Sequence, residues 1–215
     1  MYLLTWKIAP ALATGNTVVA KPSEITPMTA YLLSKICKEI NFPKGVLNII
    51  HGRGEKLGDA LTTHQDVPIV SFTGGSDTGK HISKVTAPYF KKLSLELGGK
   101  NPNIIFDDCD FDKAVSTASR AAFTNQGQIC LCGSRVFVQN KIYEKFKSAL
   151  VDKAKKLIVG DPKNSKSHLG AVVSDEHMNK ILLKINEAKK LGGILLCGGE
   201  RLILEGELKN GYYIK

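Results

Sequence analysis

The chain has 215 residues, 43% of them hydrophobic, and 30 Lys and Arg against 20 Asp and Glu, for a formal net charge of +10. That is enough apolar material for one large or two small cores. No apolar run approaches a membrane span, and stretches such as Val46 to Ile50 are short. Lys7 interrupts the first apolar stretch and no small-residue cleavage site follows, so the N-terminus does not read as a secretory signal. Five thinly spread cysteines suit a reducing compartment, cytoplasmic or organellar, better than a disulfide scaffold. The basic balance raises nucleic acid as a partner. Yet between Lys141 and Lys190 the lysines recur among apolar residues and acids, as in Lys145, Lys147, Asp152, Lys153 and Lys155. Such spacing describes solvated helix faces, and no aromatic–basic interleaving accompanies it, so nucleic acid is set aside.

In chain order, Thr17 to Ala20 reads as a buried strand ending in Lys21-Pro22-Ser23-Glu24. Thr26-Pro27 then opens a helix, Thr as cap and Pro in the first turn, with Leu33, Ile36, Cys37 and Ile40 as its apolar face. Val46 to Ile50 is the next strand, and His51-Gly52-Arg53-Gly54 turns into a helix through Leu57 and Leu61. Val67 to Phe72 is a third strand, entering Thr73-Gly74-Gly75-Ser76 and a helix from Asp77. This alternation predicts parallel strands with crossover helices in a doubly wound α/β sheet. A second unit begins near Gly99: strand Asn103 to Phe106, helix Phe111 to Phe123, strand Arg135 to Gln139, and an amphipathic helix Tyr143 to Leu157. The tail from Gly160 is richer in Gly, Pro and Lys and holds one more helix, Asp175 to Leu191. There is no internal repeat and no low-complexity segment.

Gly74-Gly75-Ser76-Asp77-Thr78-Gly79-Lys80-His81 comes close to a nucleoside triphosphate P-loop. His81 stands where a hydroxyl would have to ligate magnesium, which speaks against that reading. The physics of the turn survives: a glycine-rich entry into a helix presents free backbone N–H groups to an anion.

The stretch from Leu93 to Arg135 carries the chemistry. It holds Leu95-Glu96-Leu97-Gly98-Gly99-Lys100, a carboxylate on a Gly-Gly turn, and Asn125-Gln126-Gly127-Gln128-Ile129-Cys130, a cysteine in a Gly-Gln-x-Cys turn. An ionised cysteine attacks a carbonyl directly, and a glutamate can activate the water that later hydrolyses the thioester. Both segments resemble signature motifs of the aldehyde dehydrogenase superfamily. Within it, Tyr2 to Ala20, the Leu93–Pro102 run and Ile129-Cys130-Leu131-Cys132 are similar to 2-aminomuconic and 2-hydroxymuconic semialdehyde dehydrogenases.

The resemblance implies an aldehyde dehydrogenase-like α/β fold, with a partial Rossmann-type NAD-binding domain over 1–98 and the start of an α/β catalytic domain over 99–215. It implies Cys130 as nucleophile and Glu96 as general base. It also implies a small-molecule aldehyde, of muconic semialdehyde type, as substrate and NAD as cofactor, bound by Lys21, Ser23, Glu24, Thr73, Gly74, Gly75, Gly79 and Leu97. Glu24 beside the adenosine ribose would repel the extra phosphate of NADP. The backbone N–H of Cys130 would stabilise the oxyanion.

Cys37, Cys109 and Cys197 read as buried small hydrophobes. Cys132 competes with Cys130 and would share its side of an extended segment, but the family spacing selects Cys130. A Cys-x-Cys metal site needs further ligands, and no histidine falls at ligand spacing, so no metal is expected. Arg135 resembles a substrate-carboxylate ligand but suits a structural role equally well.

The resemblance also places a Pro-Trp-Asn element, which would supply a second oxyanion donor, before Met1. It places a Glu-Ile-Phe-Gly-Pro element, which would hold the nicotinamide ribose, beyond Lys215. On that expectation this polypeptide alone is weakly active or inactive and exposes sheet edges, while the full-length enzyme is a homo-oligomer. The alternative is a non-catalytic short product acting as a nucleotide-binding or interaction module.

Overall fold

A computed structural model describes all 215 residues, which fall into two compact units, Met1–Gly98 and Gly99–Lys215. The first contains α1 (Tyr2–Ala13), β1 (Val18–Ala20), α2 (Met28–Glu39), β2 (Leu47–Ile49), α3 (Gly54–Thr62), β3 (Ile69–Gly74), α4 (Ser76–Thr86) and β4 (Lys92–Leu97). The second contains β5 (Pro102–Ile105), α5 (Phe111–Phe123), β6 (Arg135–Val138), α6 (Tyr143–Lys155), α7 (Asp175–Lys190), β7 (Arg201–Leu202) and β8 (Tyr213–Ile214).

The expected alternation is present, but not as one doubly wound sheet. Strands pair as β1–β2, β3–β4 and β5–β6, all parallel, and as antiparallel β7–β8. Each parallel pair is a strand–helix–strand unit, because parallel neighbours need a crossover between them; α2, α4 and α5 supply it. Periodicity shows that a crossover exists, not which strand edges then meet.

Several boundaries move. α1 runs through Pro10, and its sequence gave no period clear enough to announce it; Thr14 closes it, its N–H and hydroxyl donating to the Pro10 carbonyl at 3.2 and 2.8 Å. The helix expected from Thr26 begins at Met28, with Pro27 as N-cap and no side-chain cap. Glu96 lies on β4 rather than on a turn, since Leu93, Leu95 and Leu97 alternate with polar residues and the strand pairs with β3 along its whole length. The short β7–β8 hairpin partners carry no alternation long enough to signal a strand.

Burial is also thinner than the apolar pattern suggested. On α2 only Ala30 is buried, and Ile36 and Ile40 of the expected core face are 52% and 65% exposed, because no element of this unit lies over them. Val19 of the expected buried strand is half exposed, the strand alternating between faces. Cys37, Cys109 and Cys197 are partly rather than fully buried.

The second unit has a continuous core of Ile105, Val115, Ala118 and Phe146, against which Phe111, Val136, Val138 and Cys109 pack. Phe111 and Phe146 meet edge to face at 6.0 Å. The Asp110 carboxylate accepts the Lys113 N–H at 3.2 Å and caps α5. Asp107 and Lys141 pair at 2.7 Å, tying the loop after β5 to the start of α6, and the lysine's hydrogen bond holds the Asp107 carboxyl below its ordinary range.

Asp110→Ala is expected to lower unfolding stability by about 1 kcal/mol, read from denaturant midpoints at unchanged slope. Because folding lowers the Asp107 pKa, the pair's contribution is complete above the ordinary aspartate range and fades as pH falls through the lowered value. Asp107→Asn should therefore flatten the acid limb of stability against pH and, because Asp107 also raises the Lys141 pKa, remove the pair's loss above the ordinary lysine range, leaving the neutral plateau lower but flat.

Candidate active site

In the first unit the glycine turn joins β3 to α4. Thr73 and Gly74 end the strand, Gly75 is the N-cap, and the first helical bond runs from the Gly79 N–H to the Gly75 carbonyl at 3.1 Å. The N–H groups of Ser76, Asp77 and Thr78 therefore have no partner within the helix, and no side chain caps them. A Cβ at Gly75 would meet nothing within 4 Å, so the turn is open. At Gly79 it would come within 2.6 Å of the Leu97 side chain. Gly79 and Leu97 thus set the close approach of α4 to β4. His81, the residue that spoils a P-loop, bonds Asp59 of α3 at 2.7 Å.

Lys21, Ser23 and Glu24 follow β1. Lys21 donates to the Pro22 carbonyl at 2.8 Å and to Glu24 at 3.4 Å, and the other Glu24 oxygen accepts the Gly54 N–H at the start of α3, also at 3.4 Å. The backbone N–H groups of Glu24 itself and of Gly54 first, and then Lys21, hold the Glu24 carboxyl below its ordinary range. Ser23 accepts the Ile25 N–H in a local turn. No hydrogen bond joins this cluster to the glycine turn; each gathers its own residues.

Glu96 is exposed and stands beside Thr73 in the β3–β4 register, one step before Gly74 meets Leu97. Lys7 of α1 lies close enough to feel its charge. The Lys7 amine donates to the Ser71 hydroxyl at 2.8 Å, and partial burial lowers its pKa against the raising effect of Glu96. In the sequence Lys7 marked only a break in an apolar stretch; that it lies on the less exposed side of α1, next to Ile8, was legible only once the helix was known.

Cys130 belongs to the second unit. Its turn is reached through Asn125, Gln126 and Gly127, all left-handed at φ 52°, 56° and 69°. Gly127 is required, because a Cβ there would lie 2.9 Å from the Ala122 carbonyl. Turned so that its oxygen faces the donor, the Gln126 amide accepts the Gly170 N–H and donates to the Asn125 carbonyl, both at 2.9 Å, and Gln128 accepts from His177 of α7 at 3.0 Å. The chain then turns again, the Cys132 N–H donating to the Ile129 carbonyl at 3.0 Å. The turn replaces the extended segment in which both thiols would share a side: Cys130 is exposed and Cys132 only 6% exposed. The N–H of Cys130 has no backbone acceptor, and the trans peptide aims it away from the Ile129 carbonyl. An exposed thiol beside a free donor can take up a carbonyl and steady the oxygen it charges. Arg135 opens β6 with its side chain exposed and its N–H on the Asn101 carbonyl at 3.1 Å. No helix is long and apolar enough to cross a membrane.

The sequence matches the aldehyde dehydrogenase family over residues 1–215. It is 47% identical over 216 residues to the 2-aminomuconic semialdehyde dehydrogenase of Danio rerio, all of this chain against 44% of that protein. It is 44% identical to the betaine aldehyde dehydrogenase of Bacillus subtilis, over 97% of this chain and 42% of the relative. A crystal structure of betaine aldehyde dehydrogenase from Staphylococcus aureus, in complex with NAD+, superposes with a TM-score of 0.93 at 47% identity, covering 98% of this chain and 42% of that one. The chain thus spans less than half the length of the relatives it matches. It belongs to the aldehyde dehydrogenase family.

Proposed function

We propose that the chain supplies the nucleotide-binding turn and the thiol and carboxylate of an NAD-dependent aldehyde dehydrogenase. The observation that carries this reading is the exposed Cys130 thiol on a constrained turn whose own N–H is free. The residues present fit the cofactor: the open Gly75 turn and the unpartnered N–H groups of Ser76 to Thr78 suit a pyrophosphate. Thr73, Gly74 and Gly75 would hold it there, with Gly79 and Leu97 setting the helix approach. Lys21, Ser23 and Glu24 would hold the adenosine ribose. The units Met1–Gly98 and Gly99–Lys215 would then be the cofactor-binding and thiol domains.

The Cys130 thiolate adds to the aldehyde carbon and forms a thiohemiacetal, whose oxyanion the Cys130 N–H stabilises. Bound NAD supplies the acceptor for the hydride that this carbon gives up. The resulting thioester on Cys130 is attacked by water that Glu96 deprotonates, which releases the carboxylic acid and returns the thiolate. Muconic-type semialdehydes are the substrate class in this reading, supported by the 47% and 45% identities to 2-aminomuconic semialdehyde dehydrogenases of Danio rerio and Homo sapiens. Assembly as a homo-oligomer in the cytoplasm belongs to the same proposal.

Cys130→Ser in the complete protein is expected to abolish aldehyde oxidation; undiminished oxidation by that variant sinks the assignment. Glu96→Gln should keep a single burst of NADH and lose steady turnover, with an acyl adduct of Cys130 visible by intact mass. Glu24→Ser should raise NADP use relative to NAD several-fold, the size of one solvent-screened repulsion of about 1 kcal/mol.

A further inference from the structure

The turn that carries Cys130 is held from below by one side chain. The Asn101 amide nitrogen donates to the Cys130 carbonyl at 2.7 Å and to the Cys132 carbonyl at 3.1 Å, spending both its hydrogens on the two sides of Leu131. Asn101 is itself fixed, because its own carbonyl accepts the Arg135 N–H at 3.1 Å where the β5–β6 ladder begins. Around it, the Gly133 N–H donates to the Ala121 carbonyl of α5 at 3.2 Å, and a Cβ at Gly133 would come within 3.2 Å of Asn103. The far end of the turn is therefore anchored in the fold, whereas Cys130 and Leu131 are exposed.

A trans peptide is rigid, so fixing a carbonyl fixes the N–H on its other side. The Ile129 carbonyl is held by the Cys132 N–H, which directs the N–H of Cys130; the Cys130 carbonyl is held by Asn101, which directs the N–H of Leu131. Without Asn101, nothing else within hydrogen-bond distance holds the Cys130 carbonyl. Resting on the reading of Cys130 as nucleophile, we infer that Asn101 is a positioning residue. Its amide holds the carbonyls of Cys130 and Cys132, which keeps Cys132 buried with its N–H on the Ile129 carbonyl, and through that bond the nucleophile's backbone donor stays turned outward.

The test compares Asn101→Ala and Asn101→Asp with the wild type by timed iodoacetamide labelling and peptide mass spectrometry. Cys37, Cys109 and Cys197 serve as internal references in the full chain. Aldehyde oxidation is measured alongside in the complete protein. Loss of the clamp should speed Cys132 labelling about tenfold with the three reference thiols unchanged, and lower kcat by a similar factor with the KM for NAD unaltered. Asn101→Asp, of the same size but with oxygens facing oxygens, should show the larger effect. Unchanged Cys132 labelling in both variants overturns the inference, as does a rise common to all the thiols, which would mean general unfolding. Oxidation that survives Cys130→Ser, with Cys132 still released by Asn101→Ala, would instead overturn the nucleophile and leave the clamp standing.

Discussion

Parallel pairing is the constraint on which the candidate site depends. Two parallel strands finish at the same end, so whatever follows the first lies beside whatever follows the second. In the β3–β4 ladder that end brings together the glycine turn after Gly74 and the Glu96-Leu97 segment, with Thr73 opposite Glu96 and Gly74 opposite Leu97. In the β5–β6 ladder the arrangement is inverted. Pro102 pairs with Arg135, so the residues preceding each strand, Asn101 and the Cys130–Ser134 segment, are the ones that meet. One unit presents its chemistry at the carboxyl end of its ladder and the other at the amino end.

Each ladder is stabilised by its crossover helix more than by its own hydrogen bonds, since a two-stranded sheet alone is marginal in water. α4 can lie close to β4 because Gly79 has no side chain to meet Leu97. α5 lies against β5 and β6 through Val115 and Ala118, and Phe146 of α6 closes the core. The same packing that stabilises the units thus positions the turns of the candidate site. The free N–H groups at the start of α4 and at Cys130 are left unpaired by that geometry, and each is exposed to solvent rather than buried at a cost.

The electrostatics are local. The surplus of lysines sits on exposed helix faces, with short pairs such as Lys184–Glu187 at 2.7 Å, which contribute little in water. The charges that bear on the site are fewer: Glu24 tied to Lys21 and the start of α3, and Lys7 held partly out of water near Glu96.

Read alone, the sequence determined the alternation of strands and helices, the glycine turn into α4, and the pairing of a Gly-Gly-flanked glutamate with a Gly-Gln-x-Cys cysteine. Those features are local, written in periods of two and 3.6 and in residues that only a turn tolerates. It misjudged what depends on neighbours distant in the chain. Glu96 belongs to a strand because β3 is there to pair with it. Ile36 and Ile40 are apolar at helical spacing yet uncovered in this unit. Cys130 and Cys132 look alike two positions apart, and only the turn bonded from Cys132 to Ile129, with Asn101 beneath it, exposes one thiol and buries the other. Asn101 is 29 residues from Cys130, and no local pattern links them. Tertiary structure decided that contact, because the register of two parallel strands fixes which residues at their ends can touch.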